Sequence, residues 1–566
     1  MKFTPMFVAL LPALTVFASQ AATYQVVELG PLSTHKSTFA QAINNNNQSI
    51  GNASDLYNYP IDLDEIDFEA AAISQSLTPE EIEEAKKGNI SAKVLSVLLD
   101  YLASASTDFT VQRYARTFPV RLDTKEMVKL RETAEVQTNN EYLIGINDLN
   151  HLTGHATSPF VQQKFTPAAT SEEPNPVEQT LWVPAESHLS AMVITEKGRF
   201  KLEPYYNDIN GGFAVSRGLN NTGTIIGFGS IGLDEAVAEN IRSSCNGNAR
   251  PESICLYNSA LANPFKSGGL VWKLDTFGRP GEPKVLNVFG DRYTGKPHTL
   301  PGYSEIPYVS TPYDVNDNGL IVGTSVMSDS IDLRYNEFTG RTEIFTSTQA
   351  AIFDGDEVKP FIDHLAWFGS TATSVNNKGM VTGHAEKVIN SALRSRFFIF
   401  DYNTGKLTFP DDLFGTATTK PKKINDNGKV VGITEVFTPG TSSRSNVGFI
   451  YDIPTNTFKD INSLLQCNSA YSIVSAEDIN EKNVIIATAI KQIEKRDVKG
   501  QLMLDDRGNV IKEPVAIAVQ LNPIANGTID NCSTEISQGY ERQGGAIHMV
   551  WLSVLMLLGL RRRISR

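Results

Sequence analysis

The feature that most constrains this chain is a ten-residue segment that recurs along it. The clearest copy runs from Lys423 to Gly432 and reads Lys-Ile-Asn-Asp-Asn-Gly-Lys-Val-Val-Gly. Asn and Gly accept turn conformations with positive φ at low cost, while Val and Ile favour the pleated, half-buried surface of a strand. The segment, called the box below, therefore predicts a β-hairpin.

Seven copies of the box are present, and each has an asparagine at its third position. We expect these asparagines to be structural turn residues: Asn44, Asn147, Asn220, Asn316, Asn376, Asn425 and Asn480. Boxes 1 and 2 have Asn47 and Asn150 in place of the turn glycine, and box 7 has lost both of its glycines. The spacing is irregular, about 50 to 100 residues, and its short end suits a β-propeller blade with insertions elsewhere.

An aromatic strand follows most boxes, and a further strand follows that after a turn. The aromatic strands are Leu181–Val183, Leu270–Trp272, Ala351–Phe353, Phe397–Phe400 and Phe449–Tyr451. Two box strands and these two make one four-stranded antiparallel blade, and a blade cannot bury both of its faces alone. We therefore predict an all-β chain, a seven-bladed β-propeller of four-stranded antiparallel blades spanning residues 23–535.

The last unit predicts how the ring closes. It has a third strand, Pro514–Leu521, but no evident fourth strand, while Tyr24–Gly30 precedes the first box and belongs to no earlier unit. We expect the N-terminal strand to complete the last blade and so remove exposed sheet edges. The alternative is an open β-solenoid.

A small helical insertion is expected in the first blade, at about residues 55–106. Thr78 and Glu81, with Pro79 between them, form a capping box that predicts a helix start. A second, mostly apolar helix is expected from Ala92 to Leu102 and needs a surface on which to dock.

The two ends read as targeting segments. Residues 1–22 have a basic start, an apolar run and small residues, which predicts a secretory signal peptide cleaved after Ala21 or Ala22; the alternative is a buried first strand or helix. A linker, 536–545, ends in Gly544 and Gly545. The segment 546–566 is hydrophobic, with Trp551 and Leu560, and ends in a basic cluster: Arg561, Arg562 and Arg563. About fifteen helical residues span about 22 Å, short of a hydrocarbon core of about 30 Å, so we expect a transient membrane anchor.

This tail resembles the GlyGly-CTERM sorting signal of Gram-negative secreted proteins. The resemblance implies signal peptidase and a rhombosortase-type protease as processing partners, type II secretion, and a cell-surface or extracellular product. The alternative is an ordinary tail anchor in the inner membrane. The boxes resemble the HAF-type extracellular repeat, and the whole chain is similar to an uncharacterised family of secreted gamma-proteobacterial proteins, which brings no known catalytic residues.

Composition and cysteine content limit the partners. A net charge of −13 argues against nucleic-acid binding. Four cysteines fit two disulfides in an oxidising compartment, with Cys245 and Cys255 in one loop and Cys467 and Cys532 flanking the last unit; the alternative is free buried thiols.

No catalytic motif accompanies the repeats. Asp314, Asn316, Asn318 and Gly319 match the opening of a calcium loop, but position twelve is Ser325 rather than a glutamate, so we favour a turn over calcium and expect no cofactor. His155 and His384 would bind a shared metal only if they converged at an axis. We expect a non-enzymatic binding protein for an extracellular glycan or protein ligand. The alternatives are a propeller enzyme, such as a glycoside hydrolase or lyase, and a structural envelope or matrix component.

Overall fold

The computed structural model confirms a seven-bladed β-propeller. It describes residues 22–131, 136–171, 174–289, 308–336, 340–438 and 443–530. The strands form seven four-stranded sheets and one two-stranded sheet, and all strand pairs are antiparallel. Each box supplies the first hairpin of a blade, as the sequence predicts.

The strands of each blade follow one another along the chain. In order from the axis outward, they are His35–Ile43, Ser49–Leu56, Thr117–Arg121 and Glu126–Met127 in blade 1; Glu141–Ile146, Leu152–Thr157, Leu189–Thr195 and Gly198–Leu202 in blade 2; Ala214–Leu219, Thr224–Gly232, Lys266–Lys273 and Lys284–Val285 in blade 3; Ser310–Val315, Ile321–Asn336, Arg341–Asp354 and Glu357–Pro360 in blade 4; Gly369–Val375, Met380–Ile389, Ala392–Asp401 and Lys406–Thr408 in blade 5; Thr419–Ile424, Lys429–Phe437, Arg444–Asp452 and Thr457–Asp460 in blade 6; and Tyr471–Ile479, Ile485–Glu494 and Lys512–Pro523 in blade 7.

The fourth strand of blade 7 comes from the beginning of the described chain. Tyr24–Glu28 pairs antiparallel with Lys512–Pro523, with Tyr24 opposite Pro523 and Glu28 opposite Val519. The sheet order is therefore that of the other blades, with one strand taken from a distant part of the chain.

The first strands form a ring around the axis. The first strand of each blade contacts the first strands of both neighbouring blades, and the contact between blade 7 and blade 1 completes the circle. A bulge interrupts the pairing of each first strand just before its box, so that one extra residue faces a single partner on the second strand. The core lies between the blades, where it is mostly aliphatic and aromatic.

The propeller has two faces with different content. The box turn joins the first and second strands, so all seven box turns lie on one face, called the box face. The connection from the second to the third strand lies on the opposite face, called the cap face. The cap-face connections of blades 1, 2 and 3 hold the large insertions, while that of blade 5 is a tight turn.

The blade 1 insertion is helical, as predicted. Its helices are Ala71–Ser74, Pro79–Lys86 and Ala92–Ser104, and Thr78 and Glu81 form the capping box expected at the start of the second one. The third helix buries Val94, Leu98 and Leu102 in a local apolar cluster. The insertion ends at Thr117, where the third strand begins, so it extends about ten residues beyond the predicted limit.

Insertions of neighbouring blades pack on one another at the cap face. Blade 2 contributes the hairpin Phe160–Phe165 and Gln179–Pro184, and blade 3 contributes the helices Glu235–Ser244 and Glu252–Leu261. The indole N–H of Trp182 donates to Glu65 of the blade 1 insertion at 2.5 Å, and the Arg113 guanidinium lies 4.7 Å from the Phe160 ring. The Tyr257 ring of the blade 3 helices lies 5.4 Å from the Phe160 ring, so these contacts join all three insertions into one continuous layer.

One strand assignment from the sequence is wrong. Leu181–Val183 lies in this inserted hairpin, and the third strand of blade 2 is Leu189–Thr195 instead. Both segments are apolar and β-branched or aromatic, so local composition cannot tell which of them joins the sheet.

Several predictions concern residues outside the described ranges: Ala21, Cys532, Gly544, Gly545, Trp551, Leu560, Arg561, Arg562 and Arg563. Ala22 is described and fully buried. Among the helices of the described ranges, none is both long and apolar enough to cross a membrane.

Candidate functional site

The third-position asparagines form a closed hydrogen-bonded ring at the box face. The side-chain amide of Asn44 donates to the backbone carbonyl of Asn147 in the next blade, and the same bond recurs at every blade interface until Asn480 donates to Asn44. The seven N···O distances lie between 2.8 and 3.0 Å. We call these residues the asparagine ring: Asn44, Asn147, Asn220, Asn316, Asn376, Asn425 and Asn480.

Each ring asparagine also fixes its own turn. The side-chain oxygen of Asn316, for example, accepts from the backbone N–H groups of Asn318 and Leu320 at 3.1 and 2.9 Å. One side chain therefore acts as acceptor within its blade and donor to the next blade. The asparagine amide suits both functions because its NH2 donor and its C=O acceptor are separate atoms that point in different directions.

The sequence explains these asparagines by their tolerance of positive φ, and the structure corrects that explanation. The residue with positive φ lies three positions later in the box, where it is Gly319 (φ 86°) in blade 4 and Asn150 (φ 63°) in blade 2. The ring asparagine, at the third position of the box, is therefore needed for its hydrogen bonds and not for its backbone conformation. The sequence did carry a signal: this asparagine is present in all seven boxes, whereas the turn glycine is not.

A second closed ring of hydrogen bonds lies next to the asparagine ring. The backbone N–H of the residue after each ring asparagine donates to the side chain of its counterpart in the next blade, over 2.7 to 3.0 Å. Four of its members are acidic and three are asparagines: Asp148, Asp317, Asp426 and Glu481, with Asn45, Asn221 and Asn377. The box face therefore presents a polar, acidic rim.

The axial channel is lined by the first strands. In blades 1 to 6 the residues four and six positions before the ring asparagine are buried, while those three and five positions before it keep some exposure. Successive side chains of a strand point to opposite faces of its sheet, and the first strand of each blade is the one next to the axis. We therefore infer that the buried side chains pack between blades and that the partly exposed ones face the channel. They are Phe39, Gln41, Tyr142, Ile144, Val215, Arg217, Thr311, Tyr313, Thr371, Thr373, Lys420 and Lys422.

A charged cluster lies closest to the asparagine ring. The Lys423 ammonium contacts both carboxylate oxygens of Asp314 at 2.9 and 3.0 Å, and Asp314 also accepts from the Ser374 hydroxyl at 2.6 Å. Lys423 belongs to blade 6 and Asp314 to blade 4, which are not neighbours, so this ion pair runs along the axial side of blade 5. The equivalent residues of the first three blades are small: Ala42, Gly145 and Gly218.

Asp478, the second carboxylate of this cluster, is held by backbone hydrogen bonds. Asp478 accepts from the backbone N–H groups of Ile43 and Ile479 at 2.9 and 2.8 Å. Burial raises the pKa of Asp478 to about 6, an effect that the nearby Lys423 opposes. Desolvation lowers the pKa of Lys423, but the attraction of Asp314 and Asp478 together with its hydrogen bond to Asp314 outweighs this effect, so the pKa is raised overall. Lys423 keeps 36% of its side-chain surface exposed to the channel, against 10% for Asp314.

The two histidines singled out by the sequence lie on second strands of different blades. His155 is opposite Tyr142 and stacks on its ring at a centroid distance of 5.1 Å, while His384 is opposite Thr371. Burial lowers the pKa of each to about 4, with a further contribution from Arg217 at His155 and from Lys420 at His384. Both histidines are therefore neutral at pH 7.

The calcium-like pattern in box 4 serves other contacts. Asp314 holds Lys423 and Ser374, and Asn316 belongs to the asparagine ring. Within the described ranges, no three histidine, cysteine or acidic side chains are grouped as metal ligands would be.

Cys245 and Cys255 form a disulfide with a Cα–Cα distance of 5.4 Å, which joins the two helices of the blade 3 insertion. Cys467 is also disulfide-bonded. Cys532 lies outside the described ranges.

The fold and its axis define a β-propeller with a polar, partly charged channel. The chain belongs to the family described as Protein of unknown function (DUF3466), whose model matches residues 2–563. No protein with curated annotation matches the sequence.

Several solved structures match the chain at low identity and with low TM-scores. A puromycin-hydrolysing peptidase from Mycobacterium tuberculosis is 9% identical, with a TM-score of 0.31 over 67% of this chain; the match spans about half of that enzyme, 47%. The β-propeller domain of the Trilobed protease from Pyrococcus furiosus is 11% identical, with a TM-score of 0.29 over 68% of this chain and 93% of that one. An ulvan lyase of polysaccharide lyase family PL25 is 8% identical, with a TM-score of 0.33 over 88% of this chain and 97% of that one.

Proposed function

We propose that this chain is an exported, non-enzymatic binding protein that takes its ligand into the axial channel from the cap face. The observation that carries the proposal is the wall of the channel. Seven equivalent strands hold the same asparagine at the box face, yet their channel-facing residues differ from blade to blade and include the exposed side chains of Phe39, Arg217 and Lys420. A wall with a purely structural role has no need of exposed aromatic and cationic groups, whereas a binding site does.

Export is supported by the ends of the sequence and by the cysteines. Disulfides persist in oxidising compartments, and the Cys245–Cys255 bond agrees with passage through one. We propose that signal peptidase removes residues 1–22 and that a rhombosortase-type protease cleaves near Gly544 and Gly545. Replacing both glycines by leucine is expected to leave a full-length, cell-associated protein. Normal release of that variant would remove the protease from the proposal.

Binding is tested with the exported protein itself. A glycan array and capture from an extracellular proteome are screened in parallel, each with and without variants of the channel wall. A ligand that is lost when Arg217 and Lys420 are replaced supports a channel site. A structural matrix role would instead appear as stable association with outer-membrane fractions that these replacements leave unchanged.

A propeller enzyme is the second candidate, and one observation favours it. Asp478 has a pKa of about 6 and lies near Lys423 at the axis, which is the kind of raised carboxyl pKa that general acids use. Its two backbone hydrogen bonds and its burial favour a structural role instead. Turnover of a polysaccharide by the wild type, abolished in Asp478→Asn with binding retained, would establish the enzyme.

A further inference from the structure

The channel wall contains two cations that no described side chain neutralises. Arg217 of blade 3 and Lys420 of blade 6 are exposed, and neither forms an ion pair with a described residue. Lys422 and Lys423, by contrast, are paired with Glu477 and Asp314. Blades 3 and 6 are three steps apart in a ring of seven, so Arg217 and Lys420 lie on nearly opposite walls of the channel.

The surroundings of the two cations do not offset their charge. The histidine nearest each of them, His155 for Arg217 and His384 for Lys420, is neutral because burial lowers its pKa to about 4. The guanidinium of Arg217 lies 5.0 Å from the centroid of the Tyr313 ring, so the ring holds the cation without neutralising it. In a chain with a net charge of −13, this is a local positive site.

Apart from Lys422, whose charge is paired with Glu477 of blade 7, and the aliphatic Ile144 and Val215, the rest of the wall is aromatic or polar without charge. Phe39 is 39% exposed, and Tyr142 and Tyr313 are partly exposed. Gln41, Thr311 and Thr371 offer hydroxyl and amide groups to the channel, while the Thr373 hydroxyl donates to the Thr382 carbonyl. Ring faces accept apolar sugar faces, hydroxyls and amides bond to sugar hydroxyls, and arginine binds carboxylate or sulfate through two parallel hydrogen bonds.

We propose that the channel binds an acidic oligosaccharide, whose carboxylate or sulfate groups contact Arg217 and Lys420 while its sugar rings lie against Phe39, Tyr142 and Tyr313. This inference rests on the proposed binding function and names its ligand class. The many uncharged hydrogen-bonding groups favour a hydroxyl-rich ligand over an acidic peptide.

Isothermal titration calorimetry of the full chain, with its disulfides formed, tests the ligand class. The probes are trigalacturonate for carboxylate, a heparin-derived tetrasaccharide for sulfate, maltotriose as the neutral sugar and tri-aspartate as the acidic peptide. We expect one or both acidic sugars to bind, with an affinity that falls as NaCl is raised, and maltotriose and tri-aspartate to bind at least tenfold more weakly.

Variants locate the site. Arg217→Gln and Lys420→Gln should each weaken binding about tenfold or more, as expected for the loss of a charge-assisted hydrogen bond. Arg507→Gln and Lys406→Gln remove exposed cations of the same type that are not part of the channel wall and should leave affinity unchanged. All four side chains are exposed, so the variants should retain the wild-type melting temperature.

The possible outcomes separate this inference from the broader one. No binding of either acidic sugar, equal binding of maltotriose, stronger binding of tri-aspartate, or an affinity unchanged in the double variant would each overturn it. If the array or proteome screen still finds another ligand, the binding function stands and only the ligand class falls. If no screen finds a ligand, both proposals fall.

Discussion

The asparagine ring and the channel wall are built from the same seven strands, yet they follow opposite rules. At the box face every blade contributes an asparagine with the same two sets of contacts. Two residues earlier the same strands contribute Ala, Gly, Gly, Asp, Ser, Lys and Asp, and three residues earlier, at a channel-facing position, they contribute Gln, Ile, Arg, Tyr, Thr, Lys and Glu. Equivalent positions stay identical where they join blades and diverge where they face the channel. The repeated positions hold the blades together, and we propose that the divergent ones determine which ligand is bound.

The largest expected effect concerns the ring. Asn316→Asp keeps the acceptor for the turn but replaces the donor to the Asn376 carbonyl by a buried anion, so we expect a loss of about 3 kcal/mol in the free energy of unfolding. Asn318→Asp is the matched control, since Asn318 is exposed and donates to the next carbonyl over the same 2.9 Å. Urea denaturation of both variants measures the difference. Equal losses would show that burial in the ring contributes nothing.

The second prediction concerns Lys423, one of the residues that differ from blade to blade. Lys423→Met leaves Asp314 and Asp478 without their cation. We expect a loss of about 2 kcal/mol at pH 7, below the cost for a fully buried pair because Lys423 is 36% exposed. The loss should shrink below pH 6, where Asp478 becomes protonated in the folded state. Lys422→Met should cost less, about 1 kcal/mol, because Lys422 is similarly exposed but is paired with Glu477 alone. A loss that does not depend on pH would contradict this account.

Protonation of the two equivalent histidines ranks third. His155 and His384 have a pKa of about 4 when folded, so between pH 6.5 and 4 the unfolded chain binds more protons. Their contribution to stability is therefore present above pH 6.5 and is lost as the pH falls towards 4. Between pH 6.5 and 4, the free energy of unfolding of His155→Gln should fall by about 2 kcal/mol less than that of the wild type.

His384→Gln, in blade 5, is the matched comparison and should behave like His155→Gln. Asp412 and Asp478, whose pKa values are raised to about 6, act in the opposite direction over the same range, so variants are compared with wild type at each pH. Chemical denaturation at several pH values measures both slopes. An unchanged slope in both variants would refute the assignment.

The smallest effect tests the turns themselves. Gly428 has φ 75°, so Gly428→Ala should cost about 1 kcal/mol. Asn150 occupies the equivalent position with φ 63°, and Asn150→Gly should be close to neutral because glycine adopts this conformation freely. Thermal unfolding of the two variants distinguishes them. A larger loss for Asn150→Gly would indicate that its side chain, which accepts from Arg121, matters more than its backbone.

The sequence was sufficient to predict the elements that depend on residues close together in the chain. The hairpins, the blade count and the capping box at Thr78 follow from residues within a few positions of one another. The ring bonds do not, because Asn480 and Asn44 are 436 residues apart in the chain. The Lys423–Asp314 pair likewise joins non-neighbouring blades and leaves no local pattern. The inserted hairpin in blade 2 was assigned to the sheet because its composition resembles that of a blade strand.

Every bond of the asparagine ring points the same way around the axis, from the amide of one blade to the carbonyl of the following one. The same bond can form between any two blades, because every blade offers one amide donor on one side and one carbonyl acceptor on the other. A gene that gained or lost a whole unit would keep every joint intact, and individual units are free to acquire loops of any length on the far side. This tolerance of long connections is consistent with the uneven spacing of the boxes along the chain.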